Sequence, residues 1–501
     1  MEMLISSISG LLRLDYILLI FGGSLLGVLV GVMPGLSSVM GLSIMLPFAL
    51  RVGGVGSVLM MLGIYCGAIY GGSITATLLN TPGTANSAAT CLDGHPMAMK
   101  GEPGRALSIS TTASLTGGVL SAIALLFTAP ALSKVALKFG PAEYFALGVF
   151  GLSIVTGISS HSVIKGLIGA LFGLFLATIG MDSINGMSRF TFDSVYLLGG
   201  ISFVPVLIGF FAFSQGLISM EEYNKFEVIE KAKEKIRGVF PSRADMKKIT
   251  PTILVSSFIG IVIGAIPGTG GDIASWLAYN EAKRWAKHPE EFGTGRPEGI
   301  AAPEAANNAV SGGALIPLLT LGIPGDAGTA IMLGALMVIG VTPGPLLFTE
   351  HADQVYLIIA GLFMANIAMA FWGYSCVRIF AKITKIPKYI MTPIIFIFCI
   401  VGTYALNHTV EDVFVMLIAG ILGYFLLKMD FSIPPIILGM ILGKTIESNF
   451  RRSLVISGGS MSIFAESPIC VVLLLISVCS LFYPIIVSRL KNRKKKAQDD
   501  I

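Results

Sequence analysis

The sequence has little charge for its length. Only 13% of its 501 residues are charged and 54% are hydrophobic, and the charged residues lie mostly between long apolar runs. An ordinary soluble domain carries about 25% charged residues. The composition therefore excludes a soluble globular protein and predicts a polytopic membrane protein.

The sequence also lacks the patterns that catalysis and metal binding require. Its six cysteines and five histidines show no metal-ligand spacing, and no HExxH or GxSxG motif occurs. The segment 439–445 has three residues between its glycines, where a phosphate-binding loop needs four. We therefore expect no enzyme, no organic cofactor, no zinc or iron site and no ATP hydrolysis.

Apolar runs recur along the chain, and each membrane crossing needs about 20 residues. Some runs are too short to span alone, so counting broken pairs as one crossing or hairpin leaves roughly 10–12 crossings. Basic stretches at 221–248 and after Arg489 predict the cytoplasmic side by the positive-inside rule, and no folded basic domain points to nucleic acid. The predicted domains are 1–220, the first transmembrane repeat; 221–249, a charged cytoplasmic linker; 250–488, the second transmembrane repeat; and 489–501, a basic cytoplasmic tail.

One motif occurs twice in the chain. A Gly-x-x-Pro-Gly sequence ends the apolar run at Gly31 and occurs again at Gly264, and a further Pro-Gly pair follows in each half at Pro82 and Pro324. Matched Gly/Pro interruptions in two halves are typical of secondary transporters. We therefore expect an all-α fold with two homologous repeats, inverted by analogy, that contain discontinuous helices and re-entrant hairpins.

The four broken regions carry most of the polar groups inside apolar segments. Helix N-termini offer N–H groups to a carboxylate, and unwound carbonyls and hydroxyls suit Na⁺. Gly and Pro are also common in ordinary membrane helices, but four breaks at matched places favour a binding site. The candidates for binding substrate or cation are, in the first break, Pro34, Gly35 and Ser37; in the second, Ser73, Thr75, Asn80, Thr81, Pro82, Gly83, Thr84 and Asn86; in the third, Pro267, Gly268, Thr269, Gly270 and Asp272; and in the fourth, Asn307, Asn308, Ser311, Pro324, Gly325, Asp326 and Thr329.

Four carboxylates lie near or within apolar segments, where a carboxylate is a candidate proton or sodium relay. They are Glu143, Asp182, Glu304 and Glu447. Each also fits an interface or a loop. Glu304 is the strongest candidate, because the proline before it and the asparagines after it indicate a helix start that faces a polar cavity.

Several of these segments resemble the large membrane subunit of the tripartite tricarboxylate transporters (TctA type). The similarity runs from about residue 15 to 460 and is carried by the segments 70–84, 92–97, 100–107, 267–279, 289–293, 298–325, 342–348 and 447–454. The resemblance implies a multi-pass protein of the bacterial inner membrane.

The same resemblance implies partners and a mode of transport. The partners would be a small membrane subunit (TctB type) and a periplasmic solute-binding protein (TctC type), and a homodimer is compatible with the sequence. The substrate would be a tricarboxylate such as citrate, or a related organic acid, imported by an ion gradient with Na⁺ as the expected coupling ion. The residues alone leave a passive anion channel with the same re-entrant hairpins as an alternative.

Overall fold

The computed structural model describes residues 7, 9–33, 36–158, 162–182, 184–221, 240–383 and 388–482, and most of these are helical. The helices of the first half are α1 (Leu14–Gly31), α2 (Ser38–Val52), α3 (Gly54–Leu79), α4 (Cys91–Met99), α5 (Pro103–Ala136), α6 (Pro141–Ile158), α7 (Val163–Ala177) and α8 (Phe203–Glu221), whose middle part is a π-helix. Those of the second half are α9 (Arg243–Gly264), α10 (Gly270–Trp285), α11 (Pro297–Leu321), α12 (Ala327–Val338), α13 (Ala352–Ile383), α14 (Lys388–Asn407), α15 (Val410–Lys428), α16 (Ile433–Ile456) and α17 (Pro468–Phe482).

Short elements complete the described chain. Single helical turns lie at Ala85–Ser87, Val195–Leu198, Pro289–Glu291, Leu347–Glu350 and Ile463–Glu466. The two-residue strands β1 (Gly180–Met181) and β2 (Ser188–Arg189) pair antiparallel, with Gly180 opposite Arg189.

Within the described residues, seven helices are long and apolar enough to cross a membrane: α1, α3, α5, α8, α9, α13 and α15. The prediction of an all-α polytopic membrane protein is therefore confirmed, while the number of crossings stays a prediction. Residues 222–239, which form most of the predicted linker, and the tail 489–501 lie outside the described residues. α9 begins within the predicted linker, where the Ser242 side chain caps it by accepting a hydrogen bond from the Asp245 N–H.

The chain forms two compact units that each combine segments from both halves of the sequence. The first unit comprises Met1–Lys134 and Phe211–Val410, and the second comprises Val135–Phe210 and Glu411–Ile501. The predicted division into 1–220 and 250–488 is a division by repeat, and it stays a prediction.

Three of the four candidate relay carboxylates lie in the second unit. Glu143 accepts a hydrogen bond from the backbone at the start of α6. Asp182 pairs with Arg451 at 2.7 Å, and Glu447 pairs with Arg189 at 2.8 Å. Each of the three therefore has a structural partner.

The first unit contains two pairs of parallel helices in close contact. In the first pair, Gly23 of α1 packs against Met60 of α3, and Gly27 packs against Ile64. In the second pair, Gly260 of α9 packs against α11, and Gly264 packs one turn further along it. Within each pair the contacts advance in the same direction, so both helices run the same way.

The helix between the members of the second pair runs in the opposite direction. Gly271 at the start of α10 lies beside Asn307 of α11, whereas Tyr279 further along α10 donates to Asp93, which lies against Gly299 near the start of α11. α9 and α10 therefore form a helical hairpin with the third break at its tip.

Candidate functional site

The second break folds the chain back against the helix that it has just left. α3 ends at Leu79, and the next residue, Asn80, has a left-handed backbone with φ 54°. The Gly83 N–H then donates a hydrogen bond to the Gly72 carbonyl at 3.3 Å. A Cβ atom on Gly83 would collide with the Gly31 carbonyl and lie 2.8 Å from the Gly72 Cα. Only glycine fits where three backbone segments meet this closely.

The fourth break repeats this arrangement in the other half. α11 ends at Leu321, and the next residue, Gly322, is again left-handed with φ 71°. A Cβ on Gly325 would collide with the Gly264 carbonyl and lie 2.6 Å from the Ala314 Cα. The Gly268 N–H also donates to the Gly325 carbonyl at 2.7 Å, which joins the third break to the fourth. In each half the returning chain thus contacts the C-terminal end of one helix, α1 or α9, and the side of the helix that it has just left, α3 or α11.

The second break also contacts the third break and α11. A Cβ on Gly271, at the start of α10, would collide with the Asn307 Oδ1 and lie 2.8 Å from the Asn86 Nδ2. Asn307 is 0% exposed, and neither atom of its amide has a hydrogen-bond partner among the described residues. The Thr84 hydroxyl and the Asn308 Oδ1 are likewise buried without a partner. A buried polar atom without a partner costs about 1–3 kcal/mol, so these groups suit a bound solute better than a structural role.

The fourth break meets the first half of the chain as well. Asp326 caps the N-terminus of α12 by accepting the Thr329 N–H at 2.7 Å, and its other carboxylate oxygen accepts a hydrogen bond from the Tyr65 hydroxyl of α3. Gly328, two residues further on, lies against the Tyr65 ring and Leu42 of α2. Elements from both halves therefore surround one region.

The first and third breaks each lead into a helix N-terminus. Pro34 and Gly35 lie outside the described residues, and Ser37 beyond them caps α2 by accepting the Met40 N–H at 3.1 Å. After Pro267 in the third break, Thr269 donates to the Ile266 carbonyl at 2.8 Å.

Positive φ angles and a carboxylate mark the rest of the third break. Gly268 and Gly270 have φ angles of 82° and 75°. Asp272 lies in the first turn of α10, within electrostatic range of Asp326.

Other candidate side chains are engaged in helix contacts. The Ser73 hydroxyl pairs with that of Ser110 on α5 at 2.7 Å, and Thr75 donates to the Gly72 carbonyl at 3.1 Å. Two further candidates bond to nearby carbonyls, Thr81 to Leu79 and Ser311 to Asn308. These bonds give the side chains structural roles in the geometry described, and their proposed role in binding stays a prediction.

Glu304 is fully buried beside this region. Its two carboxylate oxygens accept hydrogen bonds from Thr90 at 2.5 Å and from Ser114 at 3.0 Å. The predicted helix start beside Glu304 was wrong, because α11 begins two turns earlier at Pro297. The early start arises because proline is well suited to the first turn of a helix.

Two structurally prominent residues were missed by sequence reasoning. Tyr65 lies in an uninterrupted apolar run, which gives no signal of its contact with Asp326. Asp93 is 0% exposed and accepts the N–H groups of Gly295 and Arg296 at 2.8 and 2.7 Å. The Gly-Thr-Gly-Arg sequence at 293–296 could have indicated a turn that binds a carboxylate.

The fold and the site define a multi-pass α-helical membrane protein whose helices are interrupted around a buried polar centre. The model of the tripartite tricarboxylate transporter TctA family matches residues 17–438 of this chain. The chain belongs to that family, which confirms the resemblance seen in the sequence.

Two proteins of Agrobacterium vitis are among its relatives. The "Uncharacterized 52.8 kDa protein in TAR-I ttuC' 3'region" is 37% identical over 475 residues, which cover 95% of this chain and 94% of the relative. The "Uncharacterized protein in TAR-II ttuC' 3'region" is 35% identical over 242 residues, which cover 48% of this chain and 100% of the relative. No solved structure matches the chain.

Proposed function

We propose that this chain is the large permease subunit of a tripartite, binding-protein-dependent secondary transporter that imports a carboxylate. A Na⁺ gradient drives the uptake, and the substrate is a tricarboxylate such as citrate or a related organic acid. The partners are a small membrane subunit and a periplasmic solute-binding protein, and the membrane is the bacterial inner membrane. Membership of a transporter family supports the class of function.

The observation that carries the proposal is the fully buried amide of Asn307 between two helix breaks. Neither atom of this amide has a partner among the described residues, and its Oδ1 lies beside Gly271 at the N-terminus of α10, where the Asn86 amide also approaches. Amide N–H groups and a helix N-terminus bind a carboxylate without a buried cationic side chain. The carboxylates of Asp272 and Asp326 lie within electrostatic range of each other, and a bound Na⁺ would reduce their repulsion.

The contacts between the halves support two inverted repeats. Asn86 of the second break lies beside Gly271 of α10, the helix that follows the third break. Correspondingly, Gly328 after the fourth break lies against Leu42 of α2, the helix that follows the first break. Exchanging the halves exchanges these two contacts, as a two-fold relation requires.

The direction of the helices supports inversion in particular. α3 and α11 occupy equivalent places in the two halves. Cys66 of α3 lies beside Ser311 of α11, while Tyr70 one turn later lies near Glu304, which comes earlier on α11. The equivalent helices therefore run in opposite directions.

Replacement of Asn307 tests the proposed site. Asn307→Leu removes two unpaired polar atoms at nearly constant volume, so we expect unchanged or higher thermal stability together with loss of transport. Thr403→Val on α14 is the matched control, because the Thr403 hydroxyl is also buried without a partner and should tolerate the change with transport intact.

Transport is measured in vesicles that contain all three subunits, as counterflow of labelled citrate, malate and tartrate and as accumulation with the Na⁺ gradient present or collapsed. Accumulation above equilibrium separates a secondary transporter from a passive channel. Wild-type rates in the Asn307→Leu variant would reject the site. Equilibration without accumulation by the wild-type protein would reject the function.

A further inference from the structure

Glu304 is a carboxyl group enclosed by hydroxyl groups. It is 0% exposed, and its oxygens accept hydrogen bonds from Thr90 of the chain after the second break and from Ser114 of α5. A third hydroxyl, that of Ser110, pairs with Ser73 at 2.7 Å and also lies near the carboxyl group. The titratable groups that face it are Tyr70 of α3 and Cys91 of α4, which are both uncharged at neutral pH.

The hydroxyl partners allow Glu304 to change its protonation state in place. A hydroxyl can donate to a carboxylate and, after rotation, accept from a carboxylic acid, so the network is satisfied in both states. A carboxylate charge buried without a cation is costly, and gaining a proton removes that cost.

Asp93, a second buried carboxylate of the first unit, has hydrogen-bond partners of a different kind. It is equally buried, but the N–H groups of Gly293, Gly295 and Arg296 point at its oxygens, in addition to the Tyr279 hydroxyl. A backbone N–H only donates and cannot accept a hydrogen bond from the O–H of a carboxylic acid. Asp93 is therefore held mainly by groups that can only donate, whereas each hydroxyl around Glu304 can either donate or accept.

We propose that Glu304 binds a proton that moves with the substrate during transport. This inference rests on the proposed function. Thr90 lies four residues after Asn86, and Glu304 lies one turn before Asn307 on α11, so the carboxyl group contacts the two segments that supply the proposed substrate amides. Rearrangement of either segment would separate Glu304 from Thr90 and admit water. The O–H bond of the acid then breaks, the proton passes to that water, and the carboxylate remains until a new proton arrives.

The test uses vesicles in which this chain is assembled with its small membrane subunit and binding protein. Uptake of labelled citrate, malate and tartrate is measured at a fixed Na⁺ gradient from about pH 5.5 to about pH 8.5, and a trapped pH dye reports proton entry. For the wild-type protein we expect acidification inside the vesicles on substrate addition. We also expect an uptake rate that falls about tenfold per pH unit above its midpoint.

Glu304→Gln keeps the size and hydrogen-bonding capacity of the side chain but cannot release a proton. We expect this variant to retain counterflow, to lose the acidification and to lose the fall in uptake rate at high pH. If only the substrate titrated, the variant would instead show the same fall in rate as the wild type. Asp93→Asn is the matched control, a second buried carboxylate whose replacement should leave acidification per substrate and the pH profile unchanged.

A second variant keeps the inference testable if Glu304→Gln does not assemble. Ser114→Ala removes one donor to the anion, so the midpoint of the uptake profile should move to higher pH. An unchanged midpoint in this variant, or unchanged acidification in a transporting Glu304→Gln protein, would overturn the inference. Wild-type uptake without acidification would overturn it while leaving the proposed function standing, and absence of wild-type counterflow would overturn both.

Discussion

At the scale of single residues, Asp93 should matter more for stability than for transport. Its carboxylate receives the backbone N–H groups of Gly293, Gly295 and Arg296, so Asp93→Asn would place an amide NH₂ against donors. Hydrogen bonds to a charged group contribute about 1.5–3 kcal/mol each. We expect a loss of about 2–4 kcal/mol, measured as a fall of several degrees in the unfolding temperature of the purified protein in detergent.

Tyr279→Phe is the control for this prediction. It removes only one donor to Asp93, the hydroxyl at 2.9 Å, and keeps the ring that packs against Phe292. Its effect should be about 1 kcal/mol, the usual net value for one hydrogen bond. Equal unfolding temperatures for Asp93→Asn and Tyr279→Phe would contradict the larger contribution to stability that we assign to the backbone N–H donors.

Asp182 should give the second unit a pH-dependent stability. The backbone N–H groups of Ile184 and Asn185, together with the Arg451 guanidinium, hold the pKa of Asp182 well below its usual range. A lowered pKa in the folded state stabilises the protein above the ordinary pKa of about 4 and loses that effect as the pH falls below it.

The measurement compares unfolding temperatures of the wild type and Asp182→Asn between about pH 7 and about pH 3. The difference should be largest at neutral pH and shrink as the pH falls through about 4. Asp430→Asn is a control, because the Asp430 side chain is 71% exposed and lies 3.8 Å from Lys165. A difference for Asp182→Asn that is constant with pH would refute the assignment.

The sequence identified the residues whose chemistry is local. Gly83 and Gly325 could be predicted, because a Pro-Gly pair interrupts a helix whatever surrounds it. Tyr65 and Asp93 could not, because their partners are 261 and about 200 residues away in the chain. Side-chain function that depends on such long-range contacts leaves no pattern in one sequence.

At the scale of helices, the α1–α3 contact depends on the absence of side chains. α1 offers glycines at Gly23, Gly27 and Gly31, and α3 offers them at Gly63, Gly67 and Gly71, each spaced by four residues. That spacing brings them to one face of each helix, where the backbones approach closely. The periodicity could be seen in the sequence, but which helix would meet which, and in which direction, could not.

Replacing one of these glycines should separate the helices. A Cβ on Gly67 would collide with the Ser24 carbonyl and lie 3.0 Å from the Val28 N. Since backbone atoms cannot move away independently, we expect Gly67→Ala to cost about 1–3 kcal/mol and to lower the unfolding temperature. Gly22→Ala on α1 is the control, because nothing lies within 4 Å of its Cβ position. An equal effect of the two substitutions would show that helix propensity, not close packing, sets the result.

The start of α11 is a helix boundary that hydrophobicity alone predicts wrongly. The apolar run predicts a segment from about residue 305, but the helix begins at Pro297 and is buried along nearly its whole length, including Glu304 and Asn307. Polar residues inside the helix reduce its hydropathy without removing it from the interior, because their partners come from other helices. The polar residues that are candidates for binding thus also lower the hydropathy of α11, and this is why the start of the helix was missed.

At the scale of the whole chain, the helix directions of the first unit predict its orientation. α1 runs parallel to α3, α3 runs opposite to α11, and α11 runs parallel to α9. The start of α1 therefore lies on the opposite side of the membrane from the start of α9. Arg243, Lys247 and Lys248 begin α9, so the positive-inside rule puts that end in the cytoplasm and the start of α1 outside it.

Single cysteines in a variant without the six native cysteines test this orientation. Arg13→Cys and Lys247→Cys replace exposed basic residues at equivalent ends of α1 and α9. A membrane-impermeant maleimide should label Arg13→Cys in intact cells and should label Lys247→Cys only after the membrane is opened. Labelling of both from the same side would mean that the two halves are parallel rather than inverted. The paired breaks would then not approach the site from opposite faces, as alternating access around a central site requires.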